Sequence, residues 1–227
     1  MEDRIETLRK TELFGQLDRP VLNVLASRIV EKRLDRNEIL FLAGDPAAGL
    51  YVIAEGSLRA YRSGPDGREQ VIHVERAITT VAEVPVFDEG DYPSTVAAEE
   101  PSRVFFIAKE DIRSISTKHP QLALAATKLL ATRLRKCAEL VETLSLREVG
   151  QRIAKFILEE AGRRGSRDGN SISFVQELTH SQLAARIGTV REVVTRSILR
   201  MQAARLIDIN GKTINIPDVE ALGRYIG

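Results

Sequence analysis

The chain has a single cysteine, Cys137, among its 227 residues. One thiol rules out an intrachain disulfide framework and an all-cysteine metal site. An iron–sulfur cluster needs about four cysteine ligands and is not expected either. No apolar run approaches the roughly 20 residues needed to cross a bilayer. The start, Met1-Glu2-Asp3-Arg4, is too acidic and polar for a signal peptide. A cytoplasmic protein without a membrane partner is the expectation. The sequence also lacks a nucleophile–base pair, a Gly-rich phosphate loop and a cluster of metal ligands. Neither an enzyme nor a metal site is therefore expected.

What is present suits two domains, since one domain typically takes about 100–200 residues. Hydrophobic residues make up 43% of the chain, enough for real cores. Charge is unevenly spread. Residues 1–146 carry 20 Lys+Arg against 23 Asp+Glu, whereas residues 147–227 carry 13 against 9. A basic final third hints at a phosphate-rich partner.

Residues 1–30 read as short helices, with Asp18 as an N-cap before Arg19-Pro20. From Glu38 to about Ala108 the texture changes to short β-rich runs broken by turn residues. Examples are Leu50-Tyr51-Val52-Ile53-Ala54 before Glu55-Gly56, and Leu58-Arg59-Ala60-Tyr61 before Gly64-Pro65-Asp66-Gly67. Many short strands at regular spacing suggest a barrel or jelly roll. Pro120 then opens a stretch free of glycine and proline until Gly150. Within it Ala123, Thr127, Leu130, Leu134, Cys137, Val141 and Leu144 recur at heptad spacing, with Arg133, Arg135, Lys136, Glu139 and Glu142 elsewhere. Such a seam buries itself best against a second copy of the same helix, and Cys137 is then a small apolar filler.

The last region begins near Leu146. A helix through Ile153, Phe156, Ile157 and Leu158 is expected to end at Gly162, followed by a polar loop over Arg163–Asn170. Thr179 with Gln182, and Thr189 with Glu192, form two capping-box patterns, and Gly188 lies between them. Two short capped helices joined through a glycine turn are a helix-turn-helix signature. On the second helix Val190, Val193, Val194, Ile198 and Met201 gather on one side. Arg191, Glu192, Thr195, Arg196 and Arg200 gather on the other, with Leu199 as a blemish among them. That polar face is arranged to enter a major groove, where arginine can give two hydrogen bonds to guanine and glutamate can accept one from cytosine. Thr179, Ser181, Gln182 and Thr189 are candidate contacts beside it. A further run from Leu206 to Ile216 alternates around Asn210-Gly211, a two-residue hairpin signal. This hairpin would be a wing, with Lys212 and Thr213 at its tip for a phosphate.

Arg191-Glu192-Val193-Val194-Thr195-Arg196, followed by Leu206-Ile207 and Gly211-Lys212-Thr213-Ile214, resembles the DNA-binding segment of the Crp/Fnr superfamily of bacterial transcriptional regulators. Gly44-Asp45, the run from Leu50 to Gly56 and Gly67-Arg68-Glu69 resemble that family's cyclic-nucleotide-binding-type barrel. The resemblance implies an α+β chain: a β jelly-roll sensor over 1–118, a dimerisation helix over 119–146 and a winged helix-turn-helix over 147–227. It implies Arg191, Glu192 and Arg196 as base readers on a pseudo-palindromic duplex. The half-sites would be similar to TGTGA and lie about one helical turn apart. A homodimer follows, as does RNA polymerase as a partner if the chain is an activator.

In cyclic-nucleotide-binding members a Phe-Gly-Glu segment and a later Arg-Ser pair hold the ribose and phosphate. Here Ala82 stands for the glycine and Pro93 for the arginine, while Glu83 and Ser94 remain. The altered pocket would comprise Val81, Ala82, Glu83, Ser94 and Thr95. A buried phosphate there lacks its counter-charge, so cyclic AMP and cyclic GMP are not expected. Haem or another small molecule stays open. His73, the one histidine within the strands, alternates with Ile72 and Val74 and reads as a structural residue rather than a haem ligand. A competing reading has the winged helix contact protein instead of DNA, making the chain a ligand-binding or scaffold protein; steep salt dependence on duplex DNA separates the two.

Overall fold

The computed structural model describes residues 1–227, which form two compact units. The first comprises residues 1–62 and 72–137, and the second residues 63–71 and 138–227.

The first unit opens with α1 (Glu2–Lys10) and α2 (Arg19–Arg28). Asp18 does occupy the N-cap of α2, with proline in the first turn, but its side chain makes no capping bond. Eight strands follow: β1 (Val30–Leu34), β2 (Ile39–Phe41), β3 (Gly49–Glu55), β4 (Ser57–Ser63), β5 (Glu69–Arg76), β6 (Thr79–Val81), β7 (Thr95–Ala98) and β8 (Ser102–Ala108). The short helix α3 (Val84–Asp88) interrupts them, α4 (Lys109–Lys118) follows, and α5 runs from Pro120 to Leu146. The strands form two four-stranded sheets, ordered β1-β8-β3-β6 and β2-β7-β4-β5, the interleaved pattern of a jelly roll.

Strand alternation explains how both sheet faces are filled. Along β3, Leu50, Val52 and Ala54 point to a core shared with Leu8, Phe14, Leu25 and the first turns of α5. Ile53 points the other way, into a second core with Leu34, Phe41, Leu58, Tyr92 and Val104. Each fully buried side chain of this size contributes about 1.5–3 kcal/mol. The Tyr92 ring stacks on Phe41 at 3.8 Å, and its hydroxyl donates to the Gly49 carbonyl at 3.0 Å. The β3–β4 turn needs glycine. Gly56 has φ +84°, and a Cβ there would lie 2.7 Å from the Pro101 carbonyl oxygen.

The second unit contains α6 (Val149–Arg164), β9 (Ser166–Asp168), β10 (Ser171–Val175), α7 (His180–Ile187), α8 (Arg191–Ala203), β11 (Asp208–Asn210), β12 (Thr213–Ile216) and α9 (Val219–Ile226). Its sheet is ordered β11-β12-β10-β9. Ile153, Ile157, Phe174, Leu183, Val194 and Ile198 form the centre of one core.

Four expectations need correcting. Helix α6 passes through Gly162 and stops at Arg164, capped by the Gly165 N–H on the Ala161 carbonyl at 2.8 Å. A mid-helix glycine costs about 1 kcal/mol. Burial of Ile157 and Ala161 offsets that cost, and so do the pairs of Glu160 with Arg163 and Arg164. The loop expected over Arg163–Asn170 contains the end of α6 and all of β9. In the wing, Asn210 pairs with Thr213, so the two-residue loop is Gly211-Lys212. Gly211 alone takes a positive φ, +60°, as a glycine-first hairpin turn requires. Finally, α8 begins at Arg191 with Val190 as N-cap and no side-chain capping bond. Thr189 sits one residue too early to cap it.

Candidate nucleic-acid interface and effector pocket

In α7 the expected capping box is present. Thr179 Oγ1 accepts from the Gln182 N–H at 3.2 Å, and the Thr179 N–H donates to Gln182 Oε1 at 2.9 Å. The helix ends at Gly188, with φ +73° and its N–H on the Ala184 carbonyl at 2.9 Å. A residue with a Cβ strains in that left-handed conformation, so the sharp exit toward α8 rests on glycine. Arg152, on α6, donates to the Ile187 carbonyl at 2.8 Å and satisfies another end group of α7.

Helix α8 sorts its faces as the periodicity requires. Val194, Ile198 and Met201 are buried, while Val190 and Val193 are half-buried. Arg191, Glu192, Arg196 and Arg200 are exposed on the other side. Thr195 is half-buried and its hydroxyl is already engaged, donating to the Arg191 carbonyl at 3.1 Å and lying 2.9 Å from His180 Nδ1. Ser181 is exposed, as are Lys212 and Thr213 at the wing tip, and Thr189 is half-buried. A hollow of about 260 Å³ lies between α7 and the wing, with Thr179, His180 and Lys212 on its wall. Three cations and one carboxylate thus project from a single helix face whose opposite side is anchored in the core. Such a surface can donate to base edges and phosphates together. Sequence reasoning missed His180, which carried no periodic or motif signal.

Along α5 the heptad side chains stay largely uncovered. Leu134 is 72% exposed and Val141 63%, Cys137 is exposed, and Leu130 and Leu144 are half-buried.

The residues expected to form the altered pocket all belong to the first unit. Val81, Glu83 and Ser94 are buried, and Ala82 and Thr95 are half-buried. Ala82 adopts φ +68°, the left-handed region that favours glycine. Thr95 Oγ1 accepts from the Ala43 N–H at 3.1 Å. Glu83 occupies the N-cap of α3 but does not cap it. Instead its carboxylate, only 2% exposed, accepts from the Thr80 hydroxyl and, at 3.0 Å, from Arg133. Arg133 belongs to α5 and lies off the heptad seam. Its guanidinium also donates to the Thr80 carbonyl at 2.6 Å and to Glu75 at 3.2 Å. No local pattern could have shown this, since the partners lie 50 or more residues away. His73 Nδ1 is 3.5 Å from Glu75, but burial and then the charges of Arg133 and Lys136 push the imidazole down to about 4. Neutral at pH 7, His73 makes no ion pair there.

The two units match two family models: the cyclic nucleotide-binding domain over residues 31–119, and the Crp-like helix-turn-helix domain over residues 151–225. The chain belongs to the Crp/Fnr family. It is a DNA-binding transcription regulator of that type. The CRP-like cAMP-activated global transcriptional regulator of Mycobacterium tuberculosis is 26% identical, over 96% of this chain and 98% of that one. The fumarate and nitrate reduction regulatory protein of Escherichia coli is 27% identical, over 97% and 85%. A solved Crp/Fnr-family regulator from Eubacterium rectale has the same fold, with a TM-score of 0.78 at 22% identity over 96% and 99%. No helix of this Crp/Fnr regulator is long and apolar enough to cross a membrane.

Proposed function

We propose that the chain works as a cytoplasmic homodimer that reads a pseudo-palindromic duplex, each copy placing Arg191, Glu192 and Arg196 against base edges. The observation that carries this reading is the exposed charged face of α8, backed by the buried Val194, Ile198 and Met201. Lys212 and Thr213 on the wing, Thr179, Ser181 and Gln182 around the start of α7, and Thr189 with Arg200 on the flanks supply phosphate and sugar contacts. These fix orientation without reading sequence. The division into a sensor over 1–118, a dimerisation helix over 119–146 and a DNA-binding domain over 147–227 assigns the task of each part. RNA polymerase is the further partner if the protein activates transcription. The reaction class is binding, with no catalytic step.

Dimerisation is supported by the apolar stripe on α5, because an uncovered Leu134 and Val141 at heptad spacing are best buried against an identical helix. A two-fold dimer presents two α8 helices, and half-sites one turn of duplex apart match them.

Fluorescence anisotropy with a labelled duplex carrying two inverted TGTGA half-sites tests the reading, with a scrambled duplex as control. Binding to the first should be tighter by at least tenfold. Its logarithm should fall linearly with the logarithm of salt, at about −0.9 per neutralised phosphate. Equal affinity for both duplexes at every salt concentration would remove the base-reading role.

A further inference from the structure

The family's sensor domain implies a cyclic nucleotide, and the residues of this chain do not fit one. A cyclic nucleotide brings a phosphate anion. Beside the position of the expected nucleotide site, Arg133 gathers two buried carboxylates, Glu75 and Glu83, against its one guanidinium. His73 is neutral and Lys136 is exposed. A phosphate would add a second uncompensated negative charge to a site already short of a cation, which desolvation makes costly. Ala82 places a methyl group on a backbone turned to φ +68°, where a close approach of amide groups to an anion calls for glycine.

The same cluster joins two parts of the first unit. Arg133 comes from α5, while its acceptors come from three successive pieces of the barrel: Glu75 from β5, Thr80 from β6 and Glu83 from the start of α3. Above it, α5 is held by the buried Leu122 and Ala126, with the partly buried Ala125 and Leu129 packed against the same core. Arg133 is therefore the last strong tie between helix and barrel before the helix continues into its exposed apolar stripe. A planar guanidinium with both terminal nitrogens engaged fixes direction as well as distance.

We propose that Arg133 takes the place of an effector: it latches α5 to the barrel from within, and the protein binds DNA without a cyclic nucleotide. This rests on the DNA-binding reading of α8, and it concerns how that reading is regulated. In any protein whose long helix is positioned by a ligand, the ligand acts through differential contacts with helix and barrel. Here a side chain of the helix makes those contacts itself, at high effective concentration and with no ligand to lose.

The test uses the full-length protein with cyclic AMP or cyclic GMP at 1 mM, on the order of ordinary metabolite levels or above. Neither nucleotide should change the thermal midpoint, the anisotropy-derived Kd for the TGTGA duplex or the hydrogen exchange of residues 126–140. Arg133→Met should raise exchange across that segment and weaken specific DNA binding by at least tenfold, with the far-UV circular dichroism unchanged. Arg133→Lys keeps the charge but loses the fork, and should fall between. Should Arg133→Met fail to fold, Arg133→Lys read by hydrogen exchange carries the test. A nucleotide that tightens DNA binding fivefold or protects residues 126–140 overturns the proposal. So does an Arg133 variant whose exchange matches that of the parent protein. The exchange arm needs no DNA, so a failure of the latch is distinguishable from a failure of the DNA reading, which would show as loss of duplex preference in the parent.

Discussion

His180 Nδ1 and Thr195 Oγ1 lie 2.9 Å apart in a hydrogen bond that ties the first turn of α7 to the middle of α8. The same hydroxyl lies 3.1 Å from the Arg191 carbonyl, so both of its neighbours are protein atoms. Thr195 thus spends its hydroxyl on holding the two helices together rather than on a base. Thr195→Val keeps the shape and removes both bonds, leaving the partly buried His180 Nδ1 without its partner. Urea unfolding should show a loss of about 1–2 kcal/mol, whereas Thr195→Ser should be near neutral. If Thr195→Val unfolds like the parent protein but loses one base preference, the hydroxyl reads DNA after all.

How much of this was legible in the sequence depends on how local each signal is. The capping box at Thr179 and Gln182 and the turn at Gly188 are written within ten residues, and both are formed. The jelly roll was visible as a run of short strands, except for β1. Val30-Glu31-Lys32-Arg33-Leu34 carries three charges in a row and no alternation, because four of its five residues are exposed. Helix α9 was missed although Asp218 caps it, accepting from the Glu220 and Ala221 N–H groups. At eight residues it is too short for periodicity to stand out. The Arg133 cluster was illegible for a different reason. An arginine off a heptad seam carries no sign of its partner, and only the folded barrel brings Glu75, Thr80 and Glu83 to it.

Arg191 opens α8 and is exposed. Its replacement by alanine should weaken specific binding by about 1–3 kcal/mol and relax preference at one base position of each half-site. Lys212→Ala, at the wing tip, should instead weaken all duplexes equally and make the salt slope shallower by about 1 per protomer. Anisotropy on a panel of single-base variants, repeated at several salt concentrations, separates these outcomes. A uniform loss across the panel for Arg191→Ala would assign it to phosphate.

The stripe on α5 makes two linked predictions for the proposed dimer. Leu134→Glu puts a charge where a second apolar helix should lie, and sedimentation should then show monomers. Cys137 shares that stripe and is exposed in a single chain. Across a two-fold axis its counterpart would face it, so mild oxidation should yield a disulfide-linked dimer on non-reducing gels. The Leu134→Glu protein should not cross-link. A dimer that survives Leu134→Glu and resists oxidation would move the interface off this helix.

His73 gives the fold a pH dependence whose sign can be worked out. In the folded protein burial, with the positive charges of Arg133 and Lys136, lowers its pKa from 6.5 to about 4. In the unfolded chain it keeps the ordinary value. Between pH 6.5 and 4 the unfolded state therefore binds more protons, and stability rises with pH across that window. Acidification from pH 7 to pH 5 should cost about 2 kcal/mol through this residue alone, less whatever its partial exposure screens. Other groups titrate over the same range, so the comparison is with His73→Gln, which cannot take up the proton. Urea denaturation at pH 7, 6 and 5 should show the parent protein losing more stability than the variant, with the gap growing toward pH 5. Parallel losses would mean that His73 carries its proton in the folded state, beside Glu75 as an ion pair.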